Sequence, residues 1–193
     1  AAVPVLLWLV AGFMFEAQWS TTQALLWSGG LAVALAGMAG SIEAVSERHP
    51  GLLGPLVLTL LGTGAAGILA LSGTARIGQL IGGLTAAAGA GAAVAWWRGR
   101  AYVSGGGVAV FVLILGTIYA SGYFQLFDQP VWASALLLAA PHVLWLGELG
   151  PLAELEGWKG TAVRVGLTAV AIAVAVGVGY ASGMAGGGSE YPY

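Results

Sequence analysis

An all-helical membrane bundle is the fold this sequence predicts, and three observations predict it. Only 7% of the 193 residues are charged and 59% are hydrophobic. Soluble domains carry about 25% charged residues, so a water-facing surface cannot be assembled from these side chains. Mean hydropathy is +0.90, and the apolar residues gather into runs close to the roughly 20 that a helix needs to cross a hydrocarbon core of about 30 Å. The runs also lack the alternation of a barrel strand, since residues 169–179 contain no polar side chain. In lipid each backbone amide needs a partner within its own segment, which leaves helices. The sequence thus predicts one transmembrane helical domain over residues 1–184 with short loops, and a flexible tail over 185–193.

Taken in order, the spans lie between charge and Pro/Gly punctuation. Residues 3–15 are apolar but number only 13, about 20 Å of helix, which is short for a crossing. Counted as a first span they make seven; without them there are six. The chain begins with Ala and not Met, so the N-terminus is expected to be processed or incomplete. Residues 22–42 run from the polar Thr21-Thr22 pair to Glu43, and 52–72 from Pro50-Gly51 to Gly73. Residues 77–97 are bounded by Arg76 and Arg98. Residues 103–124 follow Arg100 and contain Gly105-Gly106-Gly107, which lacks the lysine and hydroxyl of a phosphate-binding loop. Residues 131–147 run from Pro130 to Glu148 with Pro141 inside, and 161–184 follow Lys159. After Pro151, a short interfacial helix is expected with Leu152, Leu155 and Trp158 on one face.

Orientation follows from the basic residues. Alternate loops place Arg48, Arg98, Arg100, Lys159 and Arg164 on one side and Arg76 on the other. The positive-inside rule makes the first side cytoplasmic, the C-terminal tail external and, with seven spans, the N-terminus cytoplasmic. The aromatic belts agree: Trp19, Tyr123, Phe127, Trp132 and Tyr180 fall at the outer interface, and Trp96, Trp97, Tyr102, Trp145 and Trp158 at the inner one. A single lysine, no asparagine and 33 glycines read as a GC-rich coding bias, which points to a bacterial plasma membrane.

Small residues recur every four positions, a spacing that lets helix backbones approach in lipid. Gly78, Gly82, Ala86 and Ala90 form one line, and Gly83, Ala87 and Gly91 the next. In the last span the lines are Ala169, Ala173, Gly177 and Ala181, and Ala171, Ala175, Gly179 and Gly183; Ala32, Ala36 and Gly40 repeat the pattern earlier. Two lines on one helix suggest two contact faces, so 77–97 and 161–184 are expected at the centre of the bundle or against a partner.

Few residues can carry chemistry. A net charge of −2 leaves no basis for nucleic-acid binding, and the absence of cysteine removes disulfides and thiolate metal sites. His142 lies inside a span directly after Pro141, which removes a backbone donor and is expected to kink the helix. A histidine there can ligate haem or metal, relay protons, or hydrogen-bond a freed carbonyl; the last, structural role is the commonest. His49, Glu43 and Glu148 lie toward the same membrane face as His142, a set that suits a transition metal if they converge. Their spacing matches no ligand motif, and no cofactor is predicted. Glu16 and Glu43 flank apolar segments and read as interfacial carboxylates. The hydroxyls of Thr59, Thr63, Thr85 and Ser134 are expected to bond within their own helices. The last span has no lysine for a retinal Schiff base.

Three functional readings remain, in descending order. The first is a structural or accessory subunit that packs against other membrane subunits or its own copies within the lipid bilayer, with no catalysis of its own. The second is a small transporter or channel, a class that normally carries mid-membrane polar groups or paired broken helices. The third is a redox or metal-binding subunit that uses His142.

Overall fold

The computed structural model describes residues 20–98, 105–125 and 131–186, and all the regular structure within them is helical. The elements are α1 (Thr21–Arg48), α2 (Leu53–Leu71), α3 (Ala75–Arg98), α4 (Gly105–Gln125), α5 (Val131–Ala139), a 3-10 helix (Ala140–Glu148), a 3-10 turn (Gly150–Leu152) and α6 (Gly157–Gly186). Six helical segments are long and apolar enough to cross a membrane, and one of them, Val131–Glu148, joins α5 to the 3-10 helix. Six is therefore the span count the described chain supports. The candidate seventh, residues 3–15, lies outside the described residues, as do Glu16, Trp19, Arg100, Tyr102, Phe127 and most of the tail.

Helix ends follow local chemistry. Ser20 and Gln23 form a capping box at the start of α1: the Gln23 N–H donates to Ser20 Oγ at 3.3 Å, and the Ser20 N–H to Gln23 Oε1 at 3.0 Å. Expected to stop near residue 42, α1 continues to Arg48, because Glu43, Glu47 and Arg48 mark where the helix leaves the apolar layer, not where its backbone ends. Gly73, at φ +93°, closes α2 in a left-handed turn in which the Thr74 N–H reaches Leu69 O at 3.0 Å. The interfacial helix expected after Pro151 is not formed. The chain makes one 3-10 turn, loses regular structure at 155–156, and re-enters a helix at Gly157, whose φ of +59° breaks continuity.

The core is organised around α2, whose Leu53, Val57, Leu61, Ala65, Ile68 and Leu69 are buried. It touches α1, α3, α4, α5 and α6. Residues 77–97 and 161–184 were expected at the centre or against a partner; within the chain the centre is α2, which corrects the first alternative. α3 rests on α2 and α4, and its Gly83, Ala86, Ala87, Ala90 and Gly91 face outward. The close approaches come from glycines that no four-residue line singled out. A Cβ at Gly62 would run into the Thr85 side chain of α3, and one at Gly64 into Ile172 of α6. At Gly116 a Cβ would lie 2.5 Å from Leu35 of α1, and at Gly122 it would lie 2.8 Å from Leu69.

Of the glycines in the lines, Gly78 and Gly179 sit at internal seams, against Ala66 of α2 and against Ala133 and Ile68 respectively. A Cβ at Gly82, Gly83, Gly91 or Gly177 would meet nothing within 4 Å. Hydroxyls within the spans bond locally: Thr59 to Pro55 O, the exposed Thr63 to Thr59 O, and the buried Thr85 to Ile81 O. Ser134 instead pairs with the Tyr119 hydroxyl of α4 at 2.8 Å, a bond between helices.

Substituting at an internal seam and on an outward face separates the two kinds of glycine. Gly62→Ala is expected to destabilise by about 1–3 kcal/mol through overpacking against Thr85. Gly83→Ala is expected to change stability by no more than about 0.5 kcal/mol. Unfolding by SDS titration in mild detergent checks both, and equal effects would contradict the packing.

Candidate functional site: a carboxylate shared by two arginines and a histidine

At one end of the bundle the C-terminus of α1, the end of the 3-10 helix and the first turns of α6 converge on Glu148. Its Oε1 accepts from Arg164 Nε at 2.7 Å and lies 2.9 Å from His49 Nε2, while Oε2 lies 3.5 Å from Arg48 Nη1. Arg164 is the buried charge among the described residues, with 0% exposure. Its Nη1 donates to Leu155 O at 3.3 Å, and its backbone carbonyl accepts from Thr168 Oγ1 at 3.0 Å. The remaining nitrogen, Nη2, is buried and has no hydrogen-bond partner among the described residues.

Two glycines make room for this guanidinium. A Cβ on Gly147 would lie 2.7 Å from Arg164 Cγ, and one on Gly160 would collide with Leu155 O and press on Arg164 Nη1. Arg164 is thus built into the fold, threaded between the 3-10 helix and the start of its own. Arg48, by contrast, is half-exposed, and its guanidinium sits 5.0 Å above the ring of Trp145 as a cation–π contact.

The 3-10 helix supplies the register. A 3-10 helix has three residues per turn, so side chains at i and i+3 eclipse. Pro141, Leu144 and Gly147 form its buried row. His142, Trp145 and Glu148 form the row beside it, along α1. His142 lies across Gly37, where an added Cβ would be 3.3 Å from Nε2, and Trp145 Nε1 donates to Ser41 Oγ at 3.3 Å. Glu148 completes the row at Arg48 and His49. The first two rungs match because three residues of 3-10 helix and four of α-helix both advance about 6 Å; at the third, Arg48 and His49 lie seven and eight residues beyond Ser41 and their side chains reach back to Glu148.

These placements distribute the candidate residues unevenly. His49 and Glu148 are brought into direct contact. Glu43 bonds to neither and has no ion pair or hydrogen bond with a described residue. His142 is exposed, its Nδ1 3.3 Å from Ala139 O, at the level of Gly37. His49 lies twelve residues further along α1, about 18 Å by helical rise. Among the described residues no three His, Asp or Glu side chains gather as metal ligands would. Pro141 does not simply kink α5; it marks the change from α to 3-10 geometry. Arg164 and Trp145 were legible only as a positive-inside charge and a belt aromatic. Trp145 had a further signal in the three-residue repeat across 142, 145 and 148; Arg164 had none.

Near the opposite end, α1, α4 and α5 line an open apolar pocket of about 430 Å³, with Leu26, Trp27, Leu31, Tyr123, Phe124 and Leu138 among its walls. Trp27, Tyr123 and Phe124 pack there with ring centroids 5.3–6.4 Å apart.

Removing one partner of a buried ion pair leaves the other charge uncompensated, so Glu148→Ala is expected to destabilise by about 3–5 kcal/mol. Arg164→Met in the Glu148→Ala background should recover much of that loss. Glu43→Gln should move stability by no more than about 0.5 kcal/mol. Thermal melts in detergent check the set, and an effect of Glu43→Gln equal to that of Glu148→Ala would refute the arrangement. A scan against protein-family models, a search of the curated proteins and a search of the solved structures find no match to this chain, so what the site can do is read from its own geometry.

Proposed function

We propose that this multi-pass protein is a structural or accessory subunit of a larger assembly in a bacterial plasma membrane. The observation that carries this reading is the set of small-residue faces turned away from the bundle. They are Ala36 and Gly40 on α1, Gly83, Ala87 and Gly91 on α3, and Ala173, Gly177 and Ala181 on α6. A Cβ at Gly40, Gly83, Gly91 or Gly177 would meet open space. Large apolar side chains are solvated by lipid as well as by protein, whereas small faces gain chiefly from a second backbone packed close. The buried hydroxyls of Thr85 and Thr168 are taken up by their own helices, which fits a packing role better than a polar conduit.

In this reading the Glu148 end faces the cytoplasm with Arg48, Arg98 and Lys159, and the C-terminus lies outside. Exposed Trp96, Trp97 and Trp158 at that end, and Trp132 and Tyr180 at the other, support two interfacial belts. Residues 3–15 crossing as a seventh span would put the N-terminus in the cytoplasm.

Two experiments test this. Gly83→Ile with Gly91→Ile should abolish co-purification with stoichiometric partner subunits from the native membrane while leaving helical content unchanged. A monodisperse chain alone, stabilised thermally by a small molecule, would replace the reading with a transporter. For topology, the cysteine-free chain accepts single cysteines. Thr74→Cys should react with an impermeant maleimide on intact cells, and Ala153→Cys only after permeabilisation. A cysteine at Ala1 should follow Ala153 if seven spans cross, and Thr74 if six do.

A further inference from the structure

The 3-10 helix of nine residues is long for its kind, since runs beyond three or four are uncommon and mid-helix stretches mark hinges. Pro141 explains its first turn, because the missing N–H and the ring act on the turn before it. Nothing local explains the rest. Two longer-range features do. The Val131–Glu148 span has only 18 residues, about 27 Å as a continuous α-helix, and the 3-10 half lengthens it to about 31 Å, the thickness of a hydrocarbon core. That extra reach delivers Glu148 to Arg48, His49 and Arg164.

We propose that residues 140–148 form a two-state element, held in its stretched 3-10 form by the clasp on Glu148. Released, the segment shortens toward α-helix by about 4–5 Å and turns Glu148 through about 180°, because each residue trades 2.0 Å and 120° for 1.5 Å and 100°. The rotation carries Glu148 off the α1-facing row and away from Arg164. The clasp is incompletely closed in the form seen here: Arg164 Nη2 has no hydrogen-bond partner among the described residues, and the second Glu148 oxygen leans to Arg48 at 3.5 Å. Because the same carboxylate ties down the end of α1 and the start of α6, opening it frees both helices together.

The test reads the length of the segment directly. Nitroxides on Val33→Cys of α1 and Leu149→Cys, both exposed positions, report the distance along the bundle by pulsed dipolar spectroscopy in nanodiscs. The parent chain should give one distance, and Glu148→Gln should add a population about 4–5 Å shorter. Arg48→Gln with His49→Gln leaves the Arg164–Glu148 pair in place and should add the same population at lower amplitude, which keeps the test readable if Glu148→Gln does not fold. A single unchanged distance in a folded variant overturns the proposal, and so does broadening without shortening.

Discussion

A guanidinium with no access to water dictates what lies around it. Arg164 is fully buried on α6, and an unpaired charge there would cost several kcal/mol. A carboxylate must therefore reach it, a carbonyl must share the load, and neighbouring positions must be small enough to let the stem pass. Glu148, Leu155 O, Gly147 and Gly160 meet those demands in turn. From this one requirement follow the end of the fifth span, the break of structure before α6 and the docking of the α1 terminus, whose Arg48 and His49 close on the same carboxylate.

The 3-10 geometry reconciles that demand with helix packing. The 3-10 row sets His142 at Gly37 and Trp145 at Ser41, rungs about 6 Å apart on both helices. The His142 ring lies against Gly37, one rung from the Trp145–Ser41 bond. The proline contributes the change of helix type, and the carboxylate at the far end contributes the tension that maintains it.

The span positions were legible in the sequence because hydropathy over about 20 residues is a property of each segment alone. That Arg48 and Arg164 fall at one end of the bundle was legible for the same reason, since charges mark the ends of apolar runs independently of packing. The centre of the bundle was not. Lines of small residues on α3 and α6 resemble contact faces equally well whether they turn inward or outward, and only the neighbours decide. Gly64, which admits α6 to α2, stands in no such line, and Gly62, which admits α3, heads one with Ala66 and Ala70 that looks no different from the outward lines. The Glu148 site was half legible: His49 and Glu148 share a membrane face, but Arg164 is separated from Glu148 by a loop and an irregular turn. The row that orders the site repeats every three residues, a period that a reading tuned to 3.6 passes over.

The 3-10 seam and an outward small-residue face meet on α1. Its Gly37 and Ser41 carry the 3-10 seam, and the adjacent Ala36 and Gly40 form an outward small face. Neighbouring residues on a helix stand about 100° apart, so a partner backbone seated on Ala36 and Gly40 would lie against the flank of the seam without covering it. Shortening of residues 140–148 would withdraw Trp145 from Ser41 and uncouple Arg48 from its ring, altering the very stretch of α1 that such a partner grips. In the subunit role proposed above, packing faces and stretched segment share one helix, so a change at the Glu148 end would reach a neighbour through α1, with no polar path needed.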